Sequence, residues 1–185
     1  LPAAEDQDRS ARQILSRLMR LAYRRPITAS DLEKPFQFYQ STKAKEGFES
    51  GIEMGLRAIL TSVDFLFRVE LDPSDVAKGD VYSTSDLQLA SRLSFFLWSS
   101  IPDETLLCAA EDQTLSEPKV LAAQVSRMLA DPRADSLISN FASQWLYLRN
   151  LSTVNPDPRL FMDFDDNLRQ SMRQETELFL ASILR

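Results

Sequence analysis

Apolar positions 11, 14, 15, 18, 21 and 22 recur at the spacing of one helix face and predict an amphipathic helix over about residues 8–24. Pro26 ends it, because the residue before a proline is pushed out of the helical region. "TASD", Thr28 to Asp31, offers a cap with an acid three residues on, which predicts a second helix to about Lys45 with Pro35 in its first turns. Phe48, Ile52, Leu56, Ile59, Val63 and Leu66 then form one stripe, predicting a single third helix from about Phe48 to Glu70. Gly47, Gly51 and Gly55 recur every four residues at its start, and each glycine inside a helix costs about 1 kcal/mol relative to alanine. A stripe without side chains lets another helix approach closely, either inside the domain or across a dimer seam.

Residues 72–83, "DPSDVAKGDVYS", carry no helical period and read as a linker between modules. "SDLQ", Ser85 to Gln88, fits a capping box that opens a helix from about Asp86 to Ser99. Its apolar residues cover about 200 degrees at roughly 100 degrees per residue, so it should be enclosed on nearly every side, with Phe95 on the remaining face. Asp103 caps a helix to about Glu111, and Ser116 with Pro118 starts another to about Ala130. Asp131 and Pro132 open a further helix with Ala134, Leu137, Ile138, Phe141, Trp145 and Leu148 on one stripe. After Pro156 and Pro158 a last helix runs from about Asp163 to the end. No alternating pattern supports a strand, and the expected class is all-α, an irregular multi-helix bundle of about eight helices with no sheet.

Composition narrows the chemistry. The 185 residues are 44% apolar and 26% charged, enough for a packed core. A net charge of −6 argues against nucleic acid, whose phosphates require a basic surface. No run of the necessary length is free of charge, so no membrane span is expected; the nearest, 52–69, contains Glu53, Arg57, Asp64 and Arg68. The first residues lack the basic and apolar blocks of a signal peptide. The chain has no histidine, which excludes a Ser-His-Asp triad, a Cys-His dyad, a His-based zinc site and a C-x-x-C-H haem attachment within it. Cys108 is the single cysteine, and its setting, "ETLLCAAE", suggests a buried structural thiol.

Candidate chemistry rests on three residues. Arg92 sits at the edge of the aromatic helix, beside Leu89 and Phe96, where it either reaches solvent or meets an acid, and Trp98 offers an aromatic face for binding. Glu175 falls inside the apolar stripe of the last helix, formed by Leu168, Met172, Thr176, Phe179 and Ile183. A carboxylate there is either ion-paired, with an arginine such as Arg92, Arg68 or Arg149, or a general acid or base in a cleft. From Arg9 to Arg25 there are six arginines and no acid, a basic face that suits an anionic ligand or pairing with acids elsewhere. The acids "DFDD", Asp163 to Asp166, lack calcium-loop order and suit a helix N-terminus; no metal or cofactor is expected in the chain.

Five ordered blocks carry a resemblance: "AYRRPIT", "GFESGIEMGLRAILTSVDFLFRVE", "LASRLSFFLWSSIPDETLL", "QVSRMLADPRADSLISNFASQWLYLRNL" and "FDDNLRQSMRQETELF". Together they resemble two adjacent planctomycete-type domains of unknown function, found in large exported proteins with cytochrome c-like modules. The resemblance implies that residues 1–71 are the C-terminal part of one helical module and residues 84–185 the N-terminal part of a second. It implies an extracytoplasmic setting, with any haem c in other modules, and brings no catalytic residues. The family pattern usually has proline where Val63 stands and a glycine near Asp112 or Gln113. Two functions fit these expectations. One is a non-catalytic scaffold or interaction module whose partners are other domains of the same polypeptide or a polysaccharide. The other is part of an enzyme acting on an anionic polysaccharide, with Glu175 as acid or base.

Overall fold

The computed structural model describes residues 4–68, 77 and 79–184, and half of the expected linker, 72–76 and 78, lies outside them. The described residues are helical without a strand. The helices are α1 (Ala4–Tyr23), α2 (Ala29–Glu46), α3 (Phe48–Leu60), α4 (Val63–Leu66), α5 (Asp86–Trp98), α6 (Glu104–Glu111), α7 (Pro118–Leu129), α8 (Ser143–Trp145) and α9 (Asp166–Leu184). By packing, the chain forms two compact units. Unit 1 is Leu1–Ser91 with Ile101–Ser116, and unit 2 is Arg92–Ser100 with Glu117–Arg185.

Unit 1 is built on α1, α2 and α3. The apolar face of α1 buries Ala11, Leu15, Met19 and Ala22 against Leu32, Phe36 and Tyr39 of α2 and Ile59 of α3. Thr28 caps α2 as expected: its side chain accepts from the Asp31 amide, and the Asp31 carboxylate accepts from the Thr28 amide at 2.8 Å. The helix continues through Pro35, which is buried within it. Gly51 and Gly55 allow α3 to lie close to its neighbours. A Cβ on Gly51 would stand 2.9 Å from the Tyr39 carbonyl oxygen, and one on Gly55 would stand 2.9 Å from a Leu15 methyl. The glycine stripe thus serves packing inside the unit. Gly47, between α2 and α3, has φ +94°, a conformation that side chains rarely adopt.

The expected single helix from Phe48 to Glu70 is instead broken after Leu60. Ser62 is extended, at φ −75° and ψ 154°, and its hydroxyl accepts from the Phe65 amide, so it caps α4 as a separate short helix. Arg24 closes the other end of α4. It is buried, at φ +57°, and its guanidinium donates to the carbonyls of Asp64 at 2.6 Å, Phe67 at 3.0 Å and Ala22 at 2.9 Å. Burial holds its pKa below the ordinary value, yet the carbonyls give it the partners a buried cation needs.

The basic face of α1 is largely answered within unit 1. Arg20 donates twice to Glu111, at 2.8 Å each, and to Glu104 at 2.6 Å, which raises its pKa. Arg25 grips Asp31 through two bonds of 2.8 and 2.9 Å, and Arg12 lies 3.7 Å over the Phe36 ring. Cys108 is exposed, contrary to the buried thiol expected. The inward face of α6 is Leu106, Leu107 and Ala110, which turns the thiol outward beside Arg20, 3.5 Å away. The C-terminus of α6 is a Schellman motif: Thr114 donates to the Ala109 carbonyl and Gln113 to that of Ala110, with Gln113 left-handed at φ +56°.

In unit 2 the expected long helix after Pro132 is divided. A 3-10 turn spans Pro132–Ala134, a π-helix Leu137–Ala142, then α8, and Tyr147 at φ +56° ends the run. The wider π turn explains why the predicted stripe splits. Leu137 and Ala142, five residues apart, are buried with Ile138, whereas Phe141 and Trp145 are rotated outward, 47% and 66% exposed. Along α9, no described residue is buried. Its start is held by Asp165, whose carboxylate accepts from the Leu168 amide at 2.7 Å, so one acid of "DFDD" serves as a helix cap.

Candidate functional site

The three residues singled out from sequence occupy different environments. Trp98 is 3% exposed: its indole N–H donates to the Met128 carbonyl at 2.9 Å, and the Arg133 guanidinium lies 3.5 Å over its ring. It is a core anchor of unit 2 with its polar handle spent. Arg92 is exposed on α5. Glu175 is exposed on α9 because the whole stripe it shares is open; Met172 and Phe179 are 44% and 63% exposed. The burial that would have forced a partner on this carboxylate is therefore absent. Nor is α5 enclosed all round. Ala90, Ser91, Ser94, Leu97 and Trp98 take the packed side, and the Phe95 and Phe96 rings lie toward the outside, 38% and 51% exposed.

The outward rings of unit 2 converge. Phe96 meets Phe141 edge to face at 5.4 Å between centroids, and Phe141 stacks on Trp145 at 6.2 Å and 16°. With Leu97, Leu180 and Ile183 they line a groove of about 360 Å³ whose walls carry no ionisable side chain. The π-helix positions this surface, since it turns Phe141 out while Leu137 and Ile138 stay buried. Such a groove can desolvate an apolar partner but holds no acid, base or nucleophile to act on one. The periodicity had placed Phe141 and Trp145 on one stripe with Leu137 and Ile138, and the wider π turn is what separates them.

Among the described residues, no group of three or more Cys, Asp or Glu side chains is placed to hold a metal ion. No described helix is long and apolar enough to cross a membrane.

No curated protein and no solved structure matches the chain. Two family models do. Residues 10–70 match PSD5, a protein of unknown function (DUF1595), and residues 84–185 match PSD4, a protein of unknown function (DUF1592). With more than half of its length matched by the second model, the chain belongs to the PSD4 (DUF1592) family and carries a PSD5 (DUF1595) region before it.

Proposed function

We propose that the chain is a non-catalytic helical interaction module of a larger, exported, cytochrome-linked polypeptide, and that the aromatic groove of unit 2 is its docking surface for another module of that polypeptide. The observation that carries this reading is the convergence of Phe96, Phe141 and Trp145 on an open groove without ionisable walls. Docking that covers rings of this kind gains on the order of 1.5–3 kcal/mol per side chain, the scale of interface hot spots. An apolar segment would gain this without leaving any polar group unpaired. The extracytoplasmic setting, and haem c carried by neighbouring modules, come from the resemblance of the five sequence blocks.

Trp145 is exposed, so Trp145→Asp should leave the melting temperature of the isolated chain within about 2 °C of wild type, as for most surface substitutions. In the full polypeptide the same substitution should release the partner module, seen as new sites of limited proteolysis beside it. Unchanged proteolysis with Trp145→Asp and with Phe141→Asp would exclude the groove as the docking surface.

A further inference from the structure

We propose that a cleft in unit 1 binds a neutral polyhydroxylated ring of the pyranose class. The cleft holds about 590 Å³, within the roughly 300–1,000 Å³ usual for small-ligand sites. It lies along α2, the last turns of α3 and the break between α3 and α4. The break is what gives it a third wall: with the chain turned at Thr61 and Ser62, Val63 and Asp64 border the cleft. Its floor is apolar. Pro35 and Phe38 come from α2 and Met54 and Ala58 from α3, and the Phe38 ring is 42% exposed.

Charge and hydrogen-bond capacity select the ligand. The charged residues bordering the cleft are Asp31, Lys34, Arg57 and Asp64, two acids and two bases, so the wall is neutral in a chain of net charge −6. Asp31 is a fixed wall, saturated by Arg25 and Thr28 and held far below its ordinary pKa by the Arg25 guanidinium. The other three retain capacity. Lys34 is exposed and makes no ion pair among the described residues. Arg57 uses Nη2 on Glu53, at 2.6 Å. Asp64 faces Arg25 through Oδ1 at 3.5 Å, and its side chain is 50% exposed.

The cleft therefore offers cationic donors, an anionic acceptor and an aromatic face. An isolated phosphate or sulfate would gain from Lys34 and Arg57 but be repelled by Asp64. A purely apolar ligand would cover Lys34 and Asp64 without pairing them, at a cost. A pyranose satisfies all three demands. Its C–H face suits the negative face of the Phe38 ring, and its hydroxyls both donate and accept.

The test is an NMR titration of the whole chain with neutral gluco-, manno- and xylo-hexasaccharides, and with oligogalacturonate as the anionic counterpart. At least one neutral probe should shift amides around Phe38, Met54 and Thr61, with a Kd of about 1 mM or tighter. That binding should change less than about twofold when salt rises from about 0.05 to 0.5 M, since no net charge is neutralised. Phe38→Ala should weaken it by about tenfold and Lys34→Met by a few fold, while both variants keep the wild-type melting temperature. Three results would each overturn the proposal. One is no shift with any neutral probe at about 20 mM, far above the expected Kd. Another is salt-sensitive binding of oligogalacturonate alone, and the third is neutral binding untouched by Phe38→Ala. Because the cleft lies in unit 1, failure here leaves the docking test on Trp145 unaffected, and the reverse holds.

Discussion

Replacing Gly51 by alanine sets two known effects against each other. Alanine gains about 1 kcal/mol of helix propensity over glycine. The new Cβ, however, would stand 2.9 Å from both the Tyr39 carbonyl oxygen and Tyr39 Cδ2, and 3.1 Å from Lys43 Cβ. The carbonyl is backbone and cannot rotate aside, and Tyr39 is fully buried with its hydroxyl donating to Asp8 at 3.0 Å. Relief requires α3 to back away from α2 by about half an ångström, which forfeits about a quarter of the van der Waals well at each contact along the seam. Overpacking of this kind costs about 1–3 kcal/mol, leaving a net loss of up to about 2 kcal/mol after the propensity gain. Gly55→Ala should cost less, because its closest neighbours are the Leu15 methyls, with the Pro35 carbonyl farther off at 3.3 Å. Gly47→Ala meets nothing within 4 Å, yet should cost about 1–3 kcal/mol through its positive φ alone. Urea unfolding followed by circular dichroism would rank the three. A Gly51→Ala chain stabilised by the full propensity gain would refute the close approach of α2 and α3.

Two helix ends invite stabilising changes. Gln113 is left-handed at the C′ position of the α6 Schellman motif, and Val63 is the first residue of α4 after an extended Ser62, where proline fits. Gln113→Gly and Val63→Pro should each add about 0.4–1 kcal/mol, raising the melting temperature by about 2–4 °C per kcal/mol; a fall in either would show that the backbone at that site differs. Asp31, whose folded pKa is depressed below 3.8 mainly by Arg25, contributes stability that is complete above its unfolded pKa and is lost as pH falls through the lower folded value. Acid titration of unfolding stability should therefore decline below about pH 4, and Asp31→Asn should flatten that limb while lowering stability at neutral pH; an unchanged acid limb would remove Asp31 from the account.

What could be read from sequence was local chemistry. Thr28, Ser85, Asp103 and Asp131 cap helices where their side chains said they would, because a cap needs only its own next three residues. The break at Thr61 and Ser62 was hidden inside a continuous apolar stripe. Its trace in the sequence is Ser62, a residue type that caps helices and falls just before α4. A π turn does not follow the 3.6-residue period, so Phe141 and Trp145 lie off the face that the period assigns them with Leu137 and Ile138. Glu175 posed the opposite difficulty. Its stripe is apolar, but whether a stripe is covered depends on neighbours that periodicity does not contain. The cleft of unit 1 needed three elements brought together, none of which announces it alone.

The boundary between the two family regions is not the boundary of folding. Unit 1 contains the PSD5 match, residues 10–70, and also residues 84–91 and 101–116 from within the PSD4 match. Arg20 on one side of that divide is held by Glu104 and Glu111 from the other. A recombination event that joined the first region to a foreign successor would carry away half of this ion-pair cluster, together with the buried Leu106 and Leu107. The two regions are therefore bound to a common inheritance by the packing of unit 1, and a gene that keeps one has a physical reason to keep the other.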